Sequence, residues 1–327
     1  MTAMNRSIGT AASFALASLF LTGCFTTELD PDLGGVFACT IVEGEDDCPA
    51  GLACVNDRCE DVQALPSLSI PNPEDEERLF TEAVDFVDNG GATMDVIMTV
   101  QGQLTLVDSS SGADHVFGEG HIVVFVDGEE AQIIDSGGIS SPQAITVQVD
   151  STPGPHRLSV EARRNDGIAY DNEGSLATRL FWLESDSSVT PRPFVAIKTP
   201  WPGTTYGLDA TATEVTIATL NFDQVVPGDT AAEGQGHSHI YYEDEFPSCV
   251  DDALCDGGYI TVFPAFDDIT VASEGLLPSA SEGTATLTAV LRNVNHSLYG
   301  IPFGCERGVD DECEPVLETI TLNRVAQ

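Results

Sequence analysis

Three histidines are spaced so that they could hold a metal ion. His237 and His239 stand two residues apart in a segment that is typical of a β-strand, and side chains at that spacing point to the same face of a sheet. His296 follows Asn293-Val294-Asn295 at the end of another predicted strand. Imidazole is a common ligand of copper and zinc. The alternative is a set of packed, hydrogen-bonded histidines, and ring nitrogens within roughly 3 to 4 Å of one another would favour the metal.

Clustered acidic residues and catalytic motifs are the other candidates for chemistry. Carboxylate-rich loops could bind Ca²⁺, although none follows the EF-hand pattern and such clusters are also typical of solvated loops. The clusters are residues 43–47, Glu243-Asp244-Glu245, Asp251-Asp252 and Asp310-Asp311-Glu312. The sequence has no G-x-S-x-G, H-E-x-x-H, Walker or G-x-G-x-x-G motif, so we expect a protein that is not an enzyme and has no catalytic residues. Apart from copper, zinc or calcium, we expect no cofactor.

Disulfides are expected at three places along the chain. The sequence has nine cysteines. If Cys24 is lipidated, the number left is even, which favours disulfides over free thiols in an exported protein. Four of them lie close together in a stretch too short for an apolar core: Cys39, Cys48, Cys54 and Cys59. Their spacing leaves three connectivities open, and a zinc site is the alternative, although the stretch has neither a C-x2-C pair nor a histidine. We expect Cys249–Cys255 and Cys305–Cys313 to be bonded locally, and cross-pairing between the two loops is the alternative.

The N-terminus has the pattern of an export signal. Residues 1–23 contain Arg6 and an apolar stretch that is too short to span a bilayer. The stretch ends in Leu21-Thr22-Gly23-Cys24, which resembles the lipobox of bacterial lipoproteins. The resemblance implies cleavage before Cys24 and lipidation of Cys24, which would tether the chain to a membrane through residues 24–38. A plain secretory signal with a coincidental cysteine is the alternative.

Two further resemblances concern the same region. Phe25, not an aspartate, follows the cysteine. By similarity to the sorting rule of enteric lipoproteins, this implies the outer membrane, at its periplasmic face or at the cell surface. The cysteine-rich module at residues 39–60 resembles small modules of secreted myxobacterial proteins. The expected location is therefore the cell envelope.

The charge of the chain excludes one class of partner. Lys and Arg number 12 against 53 Asp and Glu, which gives a formal net charge of −41. A surface this acidic repels phosphate backbones, so we exclude nucleic-acid binding. Hydrophobic residues make up 42% and charged residues 20%, as in ordinary globular proteins, so we also exclude a disordered chain.

The histidines lie in the second of two tandem copies. Five short segments match between the copies in the same order at slowly changing offsets, which indicates a duplication. Three of these matches are Pro66–Pro73 with Pro193–Pro200, Gly118–His121 with Gly234–His237, and Leu158–Tyr170 with Leu287–Tyr299. The second copy places His237, His239 and His296 where the first has His121, Val123 and Gly167. The cysteine pairs of the second copy fall in insertions that the first copy lacks.

Both copies are predicted to be β-structure. Short β-branched or alternating runs, such as residues 121–126 and 284–291, are separated by Gly, Pro, Asp and Ser. The pattern predicts an all-β chain with two tandem β-sandwich domains, at residues 65–188 and 192–327. The segment Pro193–Pro200 resembles the first strand of bacterial Ig-like and fibronectin-III-like domains, which implies an Ig-like fold for both copies.

Two functions are compatible with these features. The first is a non-catalytic surface lipoprotein that acts as a binding, adhesion or structural module, with an envelope protein or a surface polysaccharide as its partner. The alternative is a metal-binding envelope protein that uses His237, His239 and His296 for copper or zinc. In either case the lipid on Cys24 would be its contact with the membrane.

Overall fold

The computed structural model is built from β-strands, turns and loops, and none of the residues it describes lies in a helix. Those residues are 39, 41–42, 45–46, 48, 52–55, 58–61, 65–80, 85–87, 91–112, 116, 118–172, 174–184, 191–210, 212–228, 230–242, 259–263, 271–274, 282–305, 310 and 313–326. Within this part of the chain there is no helix with the length and apolar character needed to cross a membrane. The chain divides into two compact units, Met1–Glu60 and Asp61–Gln327.

The first unit is braced by two disulfides. Its strands form two short antiparallel pairs: β1 (Ile41–Val42) with β2 (Glu45–Asp46), and β3 (Leu52–Val55) with β4 (Arg58–Asp61). Cys39 bonds to Cys54 and Cys48 bonds to Cys59. This is one of the three connectivities left open by the sequence. With all four sulfurs in disulfides, the module offers no thiolate for the zinc alternative.

The second unit begins with a sandwich of two sheets. Its strands are β5 (Ser67–Asn72), β6 (Glu77–Phe80), β7 (Asp85–Val87), β8 (Gly91–Gln101), β9 (Thr105–Leu106), β10 (Glu119–Val126), β11 (Glu129–Ile134), β12 (Gln143–Asp150), β13 (Gly154–Arg164) and β14 (Leu176–Glu184). One sheet has the order β12-β8-β5, with β7 also paired to β8. The other has the order β11-β10-β13-β14-β6, with β9 paired to β10. We call these strands sandwich one.

The remaining strands form a second sandwich with the same plan. They are β15 (Phe194–Thr199), β16 (Thr205–Gly207), β17 (Ala212–Leu220), β18 (Asp223–Gln224), β19 (Gln235–Tyr242), β20 (Tyr259–Phe263), β21 (Val271–Glu274), β22 (Gly283–Asn293), β23 (Gly300–Ile301), β24 (Glu314–Pro315) and β25 (Leu317–Val325). The sheets have the orders β15-β17-β21 and β16-β25-β22-β19-β18, with β20 also paired to β19. We call these strands sandwich two. The all-β, two-sandwich fold predicted from the sequence is confirmed.

Strand alternation explains the core of sandwich two. On β22 the side chains of Ala285, Leu287, Ala289 and Leu291 are buried in a cluster with residues from β15, β17, β19 and β25. Because side chains alternate along a strand, Thr288, Val290 and Arg292 belong to the opposite, outer face of the same sheet. That outer face is buried as well, since Val290 is 0% and Arg292 only 1% exposed.

The pairing of β10 with β13 in sandwich one repeats that of β19 with β22 in sandwich two. His121 stands opposite Arg163 in the first ladder, and His237 stands opposite Arg292 in the second. The glycine before each histidine lies against the next strand, so that a Cβ atom on Gly120 or Gly236 would meet a backbone carbonyl oxygen at 2.0 or 1.9 Å. A side chain cannot fit there, which explains glycine at both positions.

The two sandwiches are joined by a largely buried ion pair. Arg157 on β13 makes two hydrogen bonds to the Glu318 carboxylate on β25, at 2.7 and 2.9 Å, and each side chain is 11% exposed. Glu318 also accepts a hydrogen bond from the Ile197 backbone amide, and Trp182 of β14 stacks on Phe194 of β15. These contacts hold residues 61–327 as one unit.

Candidate metal centre

The β19 strand places three polar rings on one face. His237, His239 and Tyr241 alternate with Ser238, Ile240 and Tyr242, and it is Ile240 and Tyr242 that belong to the apolar core. The alternation therefore sends both histidines to the outer face of the sheet, where the sequence analysis expects them to be neighbours. His237 is 0% and His239 is 3% exposed.

The three histidines predicted from the sequence come together around one atom. The Nε2 atom of His237 lies 3.0 Å from Nε2 of His239 and 3.2 Å from Nδ1 of His296. One ligand atom from each of the three rings lies within 4.8 Å of the others. Two ligands about 2 Å from a shared ion are separated by close to 3 Å at bond angles near those of zinc and copper sites. The cluster therefore has the geometry of a three-histidine site.

The two contacts of His237 Nε2 cannot both be hydrogen bonds. A neutral imidazole nitrogen offers either one hydrogen or one lone pair, so His237 Nε2 cannot make a full hydrogen bond to two ring nitrogens at once. The other nitrogen of this ring, Nδ1, is buried without a hydrogen-bond partner. An ion between the three nitrogens would replace two incompatible hydrogen bonds by three metal-ligand bonds.

Burial keeps the first two rings uncharged. Burial, with the nearby charges of His296 and Arg292, lowers the pKa of His237 to about 4. Burial also lowers the pKa of His239 to about 3, with smaller contributions from His237, Arg292 and His296. Both imidazoles are therefore neutral at pH 7. A neutral ring has the free lone pair that a metal ligand requires.

His296 reaches the site from an unusual backbone conformation. It lies in the turn after β22 with φ of 68°, a left-handed conformation that is uncommon for residues other than glycine. Its amide donates to the carbonyl of Asn293, and the next amide donates to the Asn295 side chain, so the turn is well held. The matching residue of sandwich one, Gly167, has φ of 84°. The second copy thus has a histidine where glycine would be less strained.

A tyrosine and an arginine lie next to the histidines, and the sequence analysis did not find them. The Tyr241 hydroxyl oxygen is 3.4 Å from Nδ1 of His239 and accepts a 2.8 Å hydrogen bond from the Arg292 guanidinium. Both residues are buried. Continuing the alternation of His237 and His239 by one more step along β19 would have pointed to Tyr241.

The equivalent place in sandwich one has one of the three histidines. His121 is buried, and burial together with the Arg163 charge lowers its pKa. Val123 and Gly167 stand where sandwich two has His239 and His296. Sandwich one therefore lacks the set of converging ring nitrogens.

The other predicted site residues lie partly outside the described residues. The structure contains the disulfide Cys305–Cys313, which packs against Gly300. Cys24, Cys249 and Cys255 lie outside the described residues. The same is true of Glu243-Asp244-Glu245, Asp251-Asp252, Asp311 and Glu312, whereas Asp310 is described. Of the cluster at 43–47, only the backbone of Glu45 and Asp46 is described.

No protein-family model matches this chain, and no curated protein matches it. Among solved structures it is similar to the fibronectin(III)-like modules of CbhA from Clostridium thermocellum, at 11% identity over 79% of this chain and 94% of that chain, with a TM-score of 0.23. Tandem Ig repeats of Dlar match at 10% identity over 80% of this chain and 100% of that one, with a TM-score of 0.18. The BSP domain of a biofilm associated protein matches at 13% identity, covering 79% and 30%, with a TM-score of 0.21. TM-scores of this size assign the chain to no family.

Proposed function

We propose that this chain is a non-catalytic, lipid-anchored envelope protein whose sandwich two binds a copper or zinc ion through His237, His239 and His296. The observation that carries the metal site is the contact of three imidazole nitrogens at 3.0 and 3.2 Å around His237 Nε2. Packed histidines in a protein interior normally bond to oxygen atoms of the backbone or of side chains. Here the two described contacts of Nε2 are made to other imidazoles.

Two further observations support a metal ligand role. His296 occupies a left-handed backbone position, which costs about 1 kcal/mol or more and is typical of functional sites. Nearly all described basic side chains are engaged in ion pairs or hydrogen bonds, among them Arg163 with Glu161 and Arg164 with Asp166. The acidic excess of the chain is therefore mostly uncompensated, and the resulting negative potential attracts cations.

The test is a metal titration of the purified full chain and of a variant that carries the residues of the other copy. The wild type should bind one equivalent of Zn²⁺ or copper, measured by calorimetry and elemental analysis. The double variant His239→Val with His296→Gly should lose binding by more than the roughly 10–100-fold typical of losing an outer partner. Sandwich one has Val123 and Gly167 at these positions, so the fold should tolerate both changes.

A matched control uses the histidine that the two copies share. His121→Asn removes a buried imidazole from the same strand position in sandwich one and should leave the affinity unchanged. A wild type that binds neither ion would contradict the metal function. Binding that is equally strong in the double variant would assign the ion to another site.

The lipid anchor is a separate part of the proposal. It is supported by the lipobox resemblance of Leu21-Thr22-Gly23-Cys24. Cys24→Ala should yield a precursor or a soluble protein without lipid, and fractionation of the wild type should place it in the outer membrane. Mass spectrometry of the N-terminus checks this, and an unmodified mature N-terminus elsewhere would contradict it.

A binding or adhesion role is the second candidate, favoured by the rigid joint between the sandwiches. A pair locked through Arg157 and Glu318 presents its loops in a fixed arrangement, as surfaces that recognise an envelope protein or a polysaccharide require. The disulfide Cys305–Cys313 braces one such loop. Replacing both cysteines by alanine should weaken retention on isolated envelope polysaccharide or protein more than it lowers the melting temperature. Unchanged retention with an intact fold would remove the loop from this role.

A further inference from the structure

One ring of the cluster has a partner that could control which of its nitrogens binds the ion. His239 turns Nε2 toward the other two histidines, so when Nε2 is a metal ligand, the hydrogen of the neutral ring must be on Nδ1. Nδ1 lies 3.4 Å from the Tyr241 hydroxyl oxygen, inside a part of the sheet where His239 is 3% and Tyr241 0% exposed. Burying an N–H group without an acceptor costs free energy. Metal binding through Nε2 therefore depends on this oxygen as the acceptor for the Nδ1 hydrogen.

We infer that Tyr241, held by Arg292, is the positioning residue for His239 and accepts the Nδ1 hydrogen when Nε2 binds the ion. This inference rests on the proposed function. Arg292 can only donate hydrogen bonds, so its 2.8 Å bond to Tyr241 uses one lone pair of the hydroxyl oxygen and fixes where that oxygen lies. The same oxygen lies 3.4 Å from Nδ1 of His239 and can accept the hydrogen of that nitrogen.

The Tyr241 hydroxyl can form a hydrogen bond with His239 both without and with a bound ion. Without an ion, the Tyr241 hydroxyl donates to Nδ1, and the ring hydrogen is on Nε2, directed at His237. With an ion on Nε2, the ring hydrogen is on Nδ1, and the hydroxyl oxygen accepts it. No proton is gained or lost in this exchange. Arg292 donates to the hydroxyl oxygen throughout.

Sandwich one provides an internal comparison. It has Phe125 at the position of Tyr241, in the same register on the paired strand. Arg163, the counterpart of Arg292, lies over the Phe125 ring at 5.5 Å and bonds to Glu161. The hydroxyl is thus missing in the copy that also lacks two of the histidines. The strand itself accepts either aromatic ring, so the fold does not require the hydroxyl.

The experiment compares two tyrosine variants of the full chain. Tyr241→Phe introduces the residue of sandwich one and should weaken binding of Zn²⁺ or Cu⁺, whichever the wild type binds, by roughly 10–100-fold. Tyr242→Phe is the matched control, because it removes a hydroxyl from the adjacent residue on the core face and should leave the affinity unchanged. Both ions are diamagnetic, so histidine ¹⁵N NMR can locate the ring hydrogens in the loaded protein. The His239 Nδ1 hydrogen should be slow to exchange in the wild type and faster in Tyr241→Phe.

The possible outcomes separate the two proposals. A wild type that binds neither ion contradicts the proposed function. A wild type that binds, with an affinity within about twofold of that of Tyr241→Phe, overturns the role of Tyr241 alone. If Tyr241→Phe does not fold, NMR of the loaded wild type decides: a hydrogen on His239 Nδ1 that is protected from exchange supports the inference, and its absence overturns it.

Discussion

His156 in sandwich one and the pair His237 and His239 in sandwich two are buried histidines whose pKa values are shifted in opposite directions. In sandwich one, His156 is buried with both ring nitrogens 2.8 Å from oxygen acceptors, the Asp127 carboxylate and the Thr152 carbonyl. A ring that donates from both nitrogens is an imidazolium. In sandwich two, His237 and His239 face each other through nitrogen atoms and are neutral at pH 7. Oxygen acceptors therefore favour the charged form of the side chain in one copy, and the side chain is a candidate ligand in the other.

The difference arises from the neighbours and not from the depth of burial. Burial alone would lower the pKa of His156, but the hydrogen bond and charge of Asp127, the Thr152 carbonyl and the charge of Asp150 outweigh it and raise the pKa. Around His237 and His239 the nearby charges, Arg292 and the other imidazoles, act in the same direction as burial. The distinguishing neighbours are therefore the oxygen acceptors beside His156, which are Asp127 and the Thr152 carbonyl, against the imidazoles and Arg292 beside His237 and His239.

The largest expected effect is that of separating the two sandwiches. Glu318→Gln removes the charge that pairs with buried Arg157 and should lower the free energy of unfolding by about 3–5 kcal/mol, because the guanidinium is left without its counter-charge. We also expect the thermal unfolding, measured by calorimetry, to separate into two transitions. The metal should then shift only the transition of sandwich two.

The control is a second glutamate close by. Glu314 pairs with Arg192, but these side chains are 66% and 47% exposed, so Glu314→Gln should change stability by no more than about 1 kcal/mol. Equal effects of the two substitutions would show that burial does not strengthen the joint. A single transition in Glu318→Gln would show that other contacts, such as Trp182 on Phe194, hold the sandwiches together.

The two missing histidines can be introduced into sandwich one. Val123→His with Gly167→His would surround His121 with the same residue types that His237 has, on the same register. We expect a second equivalent of zinc or copper. At an ion concentration 100 times its dissociation constant, this should raise the free energy of unfolding by about 2.7 kcal/mol. Val123→His alone should bind no second ion, and its doing so would contradict the need for three rings.

Much of this comparison could be predicted from the sequence, because strand alternation and the duplication are local patterns. Alternation places His237 and His239 on one face of any β-strand. The alignment of the copies identifies Val123 and Gly167 as the counterparts of His239 and His296. The contact distances could not be predicted. They depend on the turn that carries His296, whose left-handed backbone is not visible in the residue types.

Long-range partners were also beyond the sequence. Arg157 and Glu318 are 161 residues apart, and neither lies in a motif, so nothing in the sequence indicated a joint between the copies. Tyr241 continues the alternation of His237 and His239, but its bond to Arg292, on a different strand, could not be predicted. The connectivity of Cys39, Cys48, Cys54 and Cys59 remained open because spacing does not fix which sulfurs meet.

A smaller effect tests the charged histidine of sandwich one. Because the folded-state pKa of His156 is raised above its ordinary value near 6.5, its stabilisation is fully present below that pH and is lost as the pH rises through the folded pKa. His156→Gln should therefore lower the free energy of unfolding by about 1.5–3 kcal/mol at pH 6 and by less at pH 9. Denaturant titrations of both proteins across this range provide the measurement. A difference that is independent of pH would show that His156 is neutral.

In the absence of metal, the smallest effect on stability is expected for the substitution of His296. Without metal, His296→Gly relieves a left-handed backbone but gives the unfolded chain more freedom, so the two terms, each about 1 kcal/mol, should leave stability nearly unchanged or slightly raised. With saturating metal the wild type gains about 2.7 kcal/mol at 100 times the dissociation constant, and the variant should gain almost nothing. The two proteins should thus be nearly equal in stability in chelator, and the wild type should be the more stable one with the ion. His296→Asn, which tolerates the same backbone but has no imidazole, should behave like His296→Gly with metal present. If His296→Gly were strongly destabilised in chelator, the histidine would be a packing residue, since the loss would occur with no ion to hold.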